Sequence, residues 1–195
     1  MKWEKAWFSQ HTPWDRGDVH PLFLEIKKQF PQCFQGKALV PGCGHGHEAG
    51  WASSVGLEEV VGVDIVETAI ESAKKRYSQG VDFFVKDFLK QDPKWIDGFD
   101  VVLDRACLCA FPEIDRRAYY ERIGQYIKEG GFWVSVSFEQ VSRKDGPPFA
   151  VPMQEIHSYL DKNFSLMYAR HSRQYCQDPI ENECLQVWKK SSPLL

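Results

Sequence analysis

Ala38-Leu39-Val40-Pro41-Gly42-Cys43-Gly44-His45-Gly46, followed by Val60-Val61-Gly62-Val63-Asp64, is the stretch that decides the fold. Each half opens as a short apolar run and stops at turn-forming or acidic residues, which reads as a buried strand. Glu48 to Ser54 between them reads as a short helix. The pattern repeats outward. From Val66 to Tyr77, Ala69, Ile70 and Ala73 recur at helical spacing with charges opposite. Val81 to Lys86 and Phe99 to Asp104 read as strands, and Phe132 to Phe138 as a fifth. Ile114 to Lys128 reads as a helix stopped by Glu129-Gly130-Gly131, a glycine C-terminus signal. Strands alternating with helices imply right-handed βαβ units and a parallel sheet. Val151 to Leu160 predicts a helix, and Phe164 to Arg170 with Glu183 to Trp188 predicts two antiparallel strands at the sheet edge. The expected fold is a doubly wound α/β domain with a mostly parallel sheet, one domain over residues 1–195.

In such a sheet a ligand binds beyond the carboxyl ends of the strands, where the winding reverses. Glycines suit the first loop because the chain must turn sharply and let a ligand approach where a Cβ would clash. A dinucleotide fingerprint would place its third glycine at position 47, but His47 stands there and the glycine falls at Gly46. A pyrophosphate cradle is therefore disfavoured. Asp64 ends the second strand about 20 residues beyond the glycine loop, where an acid accepts ribose hydroxyls. It could equally cap the helix that follows. Asp87, ending the third strand, is placed to accept from an adenine amino group or to form an Asx turn. A nucleoside site without phosphate machinery suits S-adenosylmethionine. His45 and His47 have no obvious third ligand for a metal, so no metal is expected.

The 195 residues suffice for one core, with 43% hydrophobic and 26% charged residues. A net charge of -3 argues against a nucleic-acid binder. The six cysteines (Cys33, Cys43, Cys107, Cys109, Cys176 and Cys184) show no Cys-x-x-Cys pair, which suggests reduced thiols in the cytoplasm. The opening Met1-Lys2-Trp3-Glu4-Lys5 is no signal peptide, and no apolar run approaches the roughly 20 residues that span a bilayer. No membrane partner is expected, and with no heptad or long apolar edge a monomer is.

Residues 1–20 spend Trp3, Trp7 and Trp14 on a terminus, either as a staple to the core or as an aromatic lid over a ligand. A sulfonium beside an aromatic face gains about 0.5–2 kcal/mol. The segments WEKAWFSQHTPWDRG, LVPGCGHGHE, VVGVDI, FDVVLDRACLCAF and DGPPFAVP resemble the thiopurine S-methyltransferase superfamily, in particular its plant-type thiol, halide and thiocyanate methyltransferases. The resemblance runs from Trp3 to about Lys190. It implies a seven-stranded class I methyltransferase sheet with an antiparallel last strand. It also implies that Trp3, Trp7 and Trp14 close over S-adenosylmethionine and that Gly42 and Gly44 meet its methionine part. Asp64 and Ile65 would meet its ribose, and Asp87 with Phe88 its adenine. Arg105 matches an arginine of the thiopurine branch near cofactor and substrate, where halide-type members carry a tyrosine. A second arginine, near the C-terminus of that branch, has no match here.

The expected reaction is an in-line displacement in which a small soft nucleophile takes the sulfonium methyl and S-adenosylhomocysteine is released. Alignment and desolvation would carry it, in an apolar pocket lined by Trp14, Phe111, Phe138 and Phe149, with Arg105 attracting the anion. Plain core packing would also explain the phenylalanines, and Arg105 could instead pair with Asp104 or Glu113. Three alternatives stand beside this reading: an aromatic-thiol methyltransferase, a noncatalytic S-adenosylmethionine-binding protein, and a nicotinamide-dependent oxidoreductase.

Overall fold

The computed structural model describes residues 2–143, 145–176 and 178–191. Among them, seven strands form one sheet: β1 (Lys37–Pro41), β2 (Glu59–Asp64), β3 (Asp82–Val85), β4 (Phe99–Arg105), β5 (Ile127–Gln140), β6 (Phe164–Ser172) and β7 (Asn182–Lys190). Their order is β3-β2-β1-β4-β5-β7-β6. The pairs among β1 to β5 are parallel, and β7 runs antiparallel to both β5 and β6. The β6–β7 pair thus forms one edge of the sheet as expected, with β7 inserted between β5 and β6.

Strand alternation sorts the core into two layers. Ala38, Val40, Val101 and Leu103 face α2 (Pro21–Gln29), α3 (His47–Ser54) and α4 (Glu67–Arg76), packing against Leu22, Phe23, Ala49, Ala52 and Ile70. Leu39, Val102 and Trp133 face the other way, toward α5 (Glu113–Tyr126) and α6 (Met153–Leu160), against Tyr119, Ile123, Tyr126, Ile156 and Leu160. Val101, Val102 and Leu103 are fully buried, and each such side chain stabilises the fold by about 1.5–3 kcal/mol.

One local reading changes. The helix expected to reach Lys128 ends at Tyr126, and Gly130-Gly131 do not terminate it: they form an irregularity inside β5, between the pairs Phe99–Ile127 and Val101–Phe132. Gly130 sits at φ 74°, and a Cβ on Gly131 would stand 2.8 Å from the Asp100 carbonyl oxygen. Glycine serves close approach there, not helix termination. Within the N-terminal segment Lys2–Phe8 forms a helix, α1, lying against α4.

Candidate functional site

The carboxyl ends of β1, β2 and β4 meet at the glycine loop. Gly42, Gly44 and Gly46 adopt φ of 57°, 53° and 82°, a region a side chain disfavours. Space is equally restrictive, since a Cβ on Gly42 would lie 2.7 Å from Cys107 Sγ and one on Gly46 2.9 Å from the Phe83 ring. The Cys43 amide donates to the Val63 carbonyl at 2.9 Å, tying the loop to β2.

Asp64 braces that loop from β2. Its Oδ2 accepts from the Gly44 amide at 3.0 Å and its Oδ1 from the Val66 amide at 3.0 Å, an Asx turn just before α4 that leaves the helix itself without a side-chain cap. Burial raises its carboxyl above the ordinary aspartate range in spite of these donors. Each oxygen retains a second lone pair, and a partly desolvated carboxylate is stabilised by further donors. Ile65 beside it is exposed. Asp87 makes the Asx turn, its Oδ1 accepting from Leu89 N at 3.0 Å. The Phe88 ring is core, 4.8 Å from the Tyr119 ring and 5.8 Å from the Tyr126 ring, so what it offers a ligand is main chain.

The tryptophan segment folds over the loop. The Trp7 ring lies 4.5 Å from that of His45, and Trp7 Cζ2 is 3.7 Å from where a Gly44 Cβ would stand. Trp3 meets Trp14 edge-on at 5.2 Å. Between these aromatics Asp15 reaches down to both loop histidines. Its Oδ1 lies 3.1 Å from His47 Nε2 and its Oδ2 3.4 Å from His45 Nε2. The other ring nitrogens are engaged by Tyr77 Oη at 3.1 Å and Ser72 Oγ at 2.7 Å. Among the described residues, no group of three or more His, Cys, Asp or Glu is placed to hold a metal. The two histidines are a latch for the N-terminal segment. Burial lowers the His47 pKa, with Asp15 opposing the shift.

Arg105, at the end of β4, finds neither Asp104 nor Glu113. Its Nη2 lies 3.3 Å from Oε1 of Glu183, which His20 Nε2 approaches on Oε2 at 3.1 Å. Asp104 turns inward instead, accepting from Cys107 N at 2.9 Å and Ser135 Oγ at 3.3 Å, and burial pushes its pKa up to about 6. Main-chain bonds hold the segments that carry Phe138 and Phe149. Phe149 N donates to the Cys109 carbonyl at 2.7 Å and Val151 N to the Phe138 carbonyl at 2.8 Å, stitching the segment after Gly146 to the turn that follows β4 and to β5. The Arg105 guanidinium stands 5.8 Å from the Phe138 ring centre. Phe111 and Phe138 pack on the core cluster, the packing that the sequence also allowed. Trp14 stays with the lid and is partly exposed.

Behind this wall sits buried Arg116, which the sequence reading passed over. It donates to the carbonyls of Phe111 at 2.9 Å and Ala150 at 2.8 Å, and to Glu155 at 2.6 Å. Asp15, His20 and Glu183 were missed too. Asp15 lay inside the quoted WDRG segment, the one signal that could have found it; Glu183 is 78 residues from Arg105 in sequence and left none.

The family model for thiopurine S-methyltransferase matches residues 1–189. "Probable thiol methyltransferase 2" of Arabidopsis thaliana is 33% identical over 165 residues, covering 81% of this chain and 70% of that protein. "Thiocyanate methyltransferase 1" of Brassica oleracea is 31% identical with the same coverage. Thiopurine S-methyltransferase of Vibrio cholerae is 29% identical over 174 residues, covering 80% and 78%. Among solved structures, the N-methyltransferase NodS of Bradyrhizobium japonicum with S-adenosyl-l-homocysteine superposes with a TM-score of 0.75 at 15% identity, covering 93% and 89%. A 1,6-didemethyltoxoflavin N1-methyltransferase of Burkholderia thailandensis gives 0.78 at 16%, covering 98% and 86%. These two likenesses concern the fold, which is that of class I methyltransferases.

Proposed function

The chain belongs to the thiopurine S-methyltransferase family, and from that membership we propose an S-adenosylmethionine-dependent methyltransferase acting on a small soft nucleophile: a thiol, hydrosulfide, halide or thiocyanate. The carrying observation is the loop itself, three positive-φ glycines braced by the half-buried Asp64 carboxylate and covered by Trp7. Family membership argues against the nicotinamide-dependent reading, and a wall with a charged Arg105 beside it argues against a merely binding role.

The residues present suit the cofactor. Gly42 and Gly44 leave room where a Cβ would intrude, Asp64 and Ile65 offer the ribose contacts, and Asp87 with the Phe88 main chain offers the adenine contacts. Trp3, Trp7 and Trp14 cover it. When bound, S-adenosylmethionine supplies an activated methyl group on a sulfonium. The chain supplies alignment and a water-poor wall of Phe111, Phe138 and Phe149, and Arg105 draws the nucleophile in. We read residues 1–195 as one monomeric domain with 1–20 as its lid, cytoplasmic and without metal. Nucleic acid and membrane are not partners in this reading. Among the described residues no helix is long and apolar enough to cross a membrane.

The test is S-adenosylhomocysteine formation with iodide, thiocyanate, hydrosulfide and an aromatic thiol in parallel. Turnover of any small nucleophile above the aromatic thiol supports this assignment. Turnover of the aromatic thiol alone moves the protein to the thiopurine branch, which Arg105 also favours. Silence with all four, despite cofactor binding, overturns the substrate class. Arg105→Ala with unchanged KM for thiocyanate would remove the steering role.

A further inference from the structure

Glu183 is almost fully buried at the start of β7, which runs opposite to β5. That places it at the sheet edge where β1, β4 and β5 end, in register with Phe138 of the proposed wall. Its carboxylate is held by charge but poorly satisfied. Arg105 Nη2 and His20 Nε2 stand 3.3 and 3.1 Å from its two oxygens, yet among the described residues no donor reaches either oxygen in hydrogen-bond geometry. Arg105 Nε is equally buried and without an aligned partner. Buried carboxylate oxygens left this way cost free energy, so a site that keeps them gains from a donor that arrives with a ligand.

His20 is not an alternative proton acceptor. Its Nδ1 accepts from the Leu22 amide at 3.3 Å, capping α2, so the ring proton sits on Nε2 facing Glu183. Burial would push the Glu183 carboxyl up, but His20 and the Arg105 charge prevail and hold it below the ordinary glutamate range. It is therefore ionised at neutral pH.

We propose that Glu183 takes the proton from a thiol substrate held against Arg105 and Phe138, making protonated thiols, hydrogen sulfide among them, the preferred nucleophiles over halide and thiocyanate. This rests on the preceding reading that the nucleophile meets Arg105. In the step, the S–H pair stays on sulfur while the proton moves to a Glu183 oxygen. Sulfur's pair forms the new S–CH3 bond, and the methyl's old bond breaks with its pair returning to the sulfonium sulfur. The products are a methyl thioether and S-adenosylhomocysteine, and Glu183 later releases the proton to water. The same carboxylate repels nucleophiles that bring no proton, because it offsets the Arg105 charge.

The experiment compares wild type with Glu183→Gln, using a small thiol and thiocyanate from pH 6 to 9. Wild-type thiol turnover is expected to stay flat. In the variant it should fall about 100-fold at pH 6.5, within the usual range for a lost general base, and recover as the thiol ionises in solution. The KM for thiocyanate should drop about tenfold with one negative charge removed. Thiocyanate binding to the cofactor-free protein, followed by tryptophan quenching, should tighten alike. Equal losses with thiol and thiocyanate would make Glu183 structural and overturn the proposal, as would unimpaired thiol turnover. Should the variant fail to fold, wild type still decides, since thiol turnover that rises tenfold per pH unit below the thiol's own pKa would rule Glu183 out. If Glu183 fails while Arg105→Ala raises the thiocyanate KM, the preceding reading stands alone. Wild-type silence with every nucleophile sinks both.

Discussion

Asp15→Ala tests whether the aromatic segment is held shut by the loop histidines. The side chain is about one-quarter exposed, and His47 is nearly buried, so the 3.1 Å contact lies in a partly desolvated place. A hydrogen bond to a charged group there contributes roughly 1.5–3 kcal/mol. The second contact, to His45 at 3.4 Å, is long and adds a few tenths. Losing both costs the closed lid about 2 kcal/mol. If closure is coupled to cofactor binding, that becomes a roughly thirtyfold weaker Kd, at 1.36 kcal/mol per tenfold. Calorimetry with S-adenosylhomocysteine reads this directly, and quenching of the lid tryptophans gives an independent signal. Asp15→Asn keeps one acceptor and should lose less, about five- to tenfold. A Kd within threefold of wild type for Asp15→Ala, at unchanged Tm, would refute the coupling: the contacts would then be ornaments of a terminus held by its tryptophans alone.

Asp104 makes a pH prediction. Its folded pKa of about 6, above the ordinary aspartate value of 3.8, means the native state holds a proton that the unfolded chain releases between those pH values. The stability this gives is fully present below pH 3.8 and is lost as pH rises through 6, about 3 kcal/mol in all. Asp104→Asn should therefore gain on wild type by close to that amount between pH 4 and 7 in urea melts; a pH-independent difference would contradict the buried ionised carboxylate. Arg116→Ala should cost about 3–5 kcal/mol by stranding Glu155 and two carbonyls, lowering Tm, and a loss under 1 kcal/mol would deny the hub. Gly131→Ala should cost about 1–3 kcal/mol from its 2.8 Å approach to the Asp100 carbonyl, with cofactor affinity kept. Gly42→Ala should cost stability by a similar amount, through its φ of 57° and the 2.7 Å approach to buried Cys107 Sγ, and should weaken cofactor binding as well, which calorimetry separates from the drop in Tm.

Strands β1, β2 and β4 were readable because a strand buried on both faces must be apolar throughout, as Val101-Val102-Leu103 is. The glycine loop and Asp64 were readable because φ and spacing restrict residue type. What escaped has physical reasons. Gly130-Gly131 mark a helix end or a close approach equally well, and only the neighbouring strand's Asp100 carbonyl decides. Phe88 follows a strand-end acid, where a ligand contact and a core aromatic look alike. His45 and His47 were legible as paired but not as paired with Asp15, because a latch between segments 30 residues apart leaves no periodicity. The Arg105–Glu183–His20 group joins three separate regions of the chain, beyond any local pattern.

Arg116 fastens the carbonyls of Phe111 and Ala150 to one guanidinium, and Phe149 and Val151 are hung on Cys109 and Phe138 by main-chain bonds. The wall proposed to face the nucleophile is thus a frame whose backbone bonds do not depend on the identity of its aromatic side chains. Phe111, Phe138 and Phe149 are exchangeable panels in that frame. An engineer, or natural drift, can widen or narrow the chamber one panel at a time while the half of the protein around Gly42 and Asp64 stays as it is.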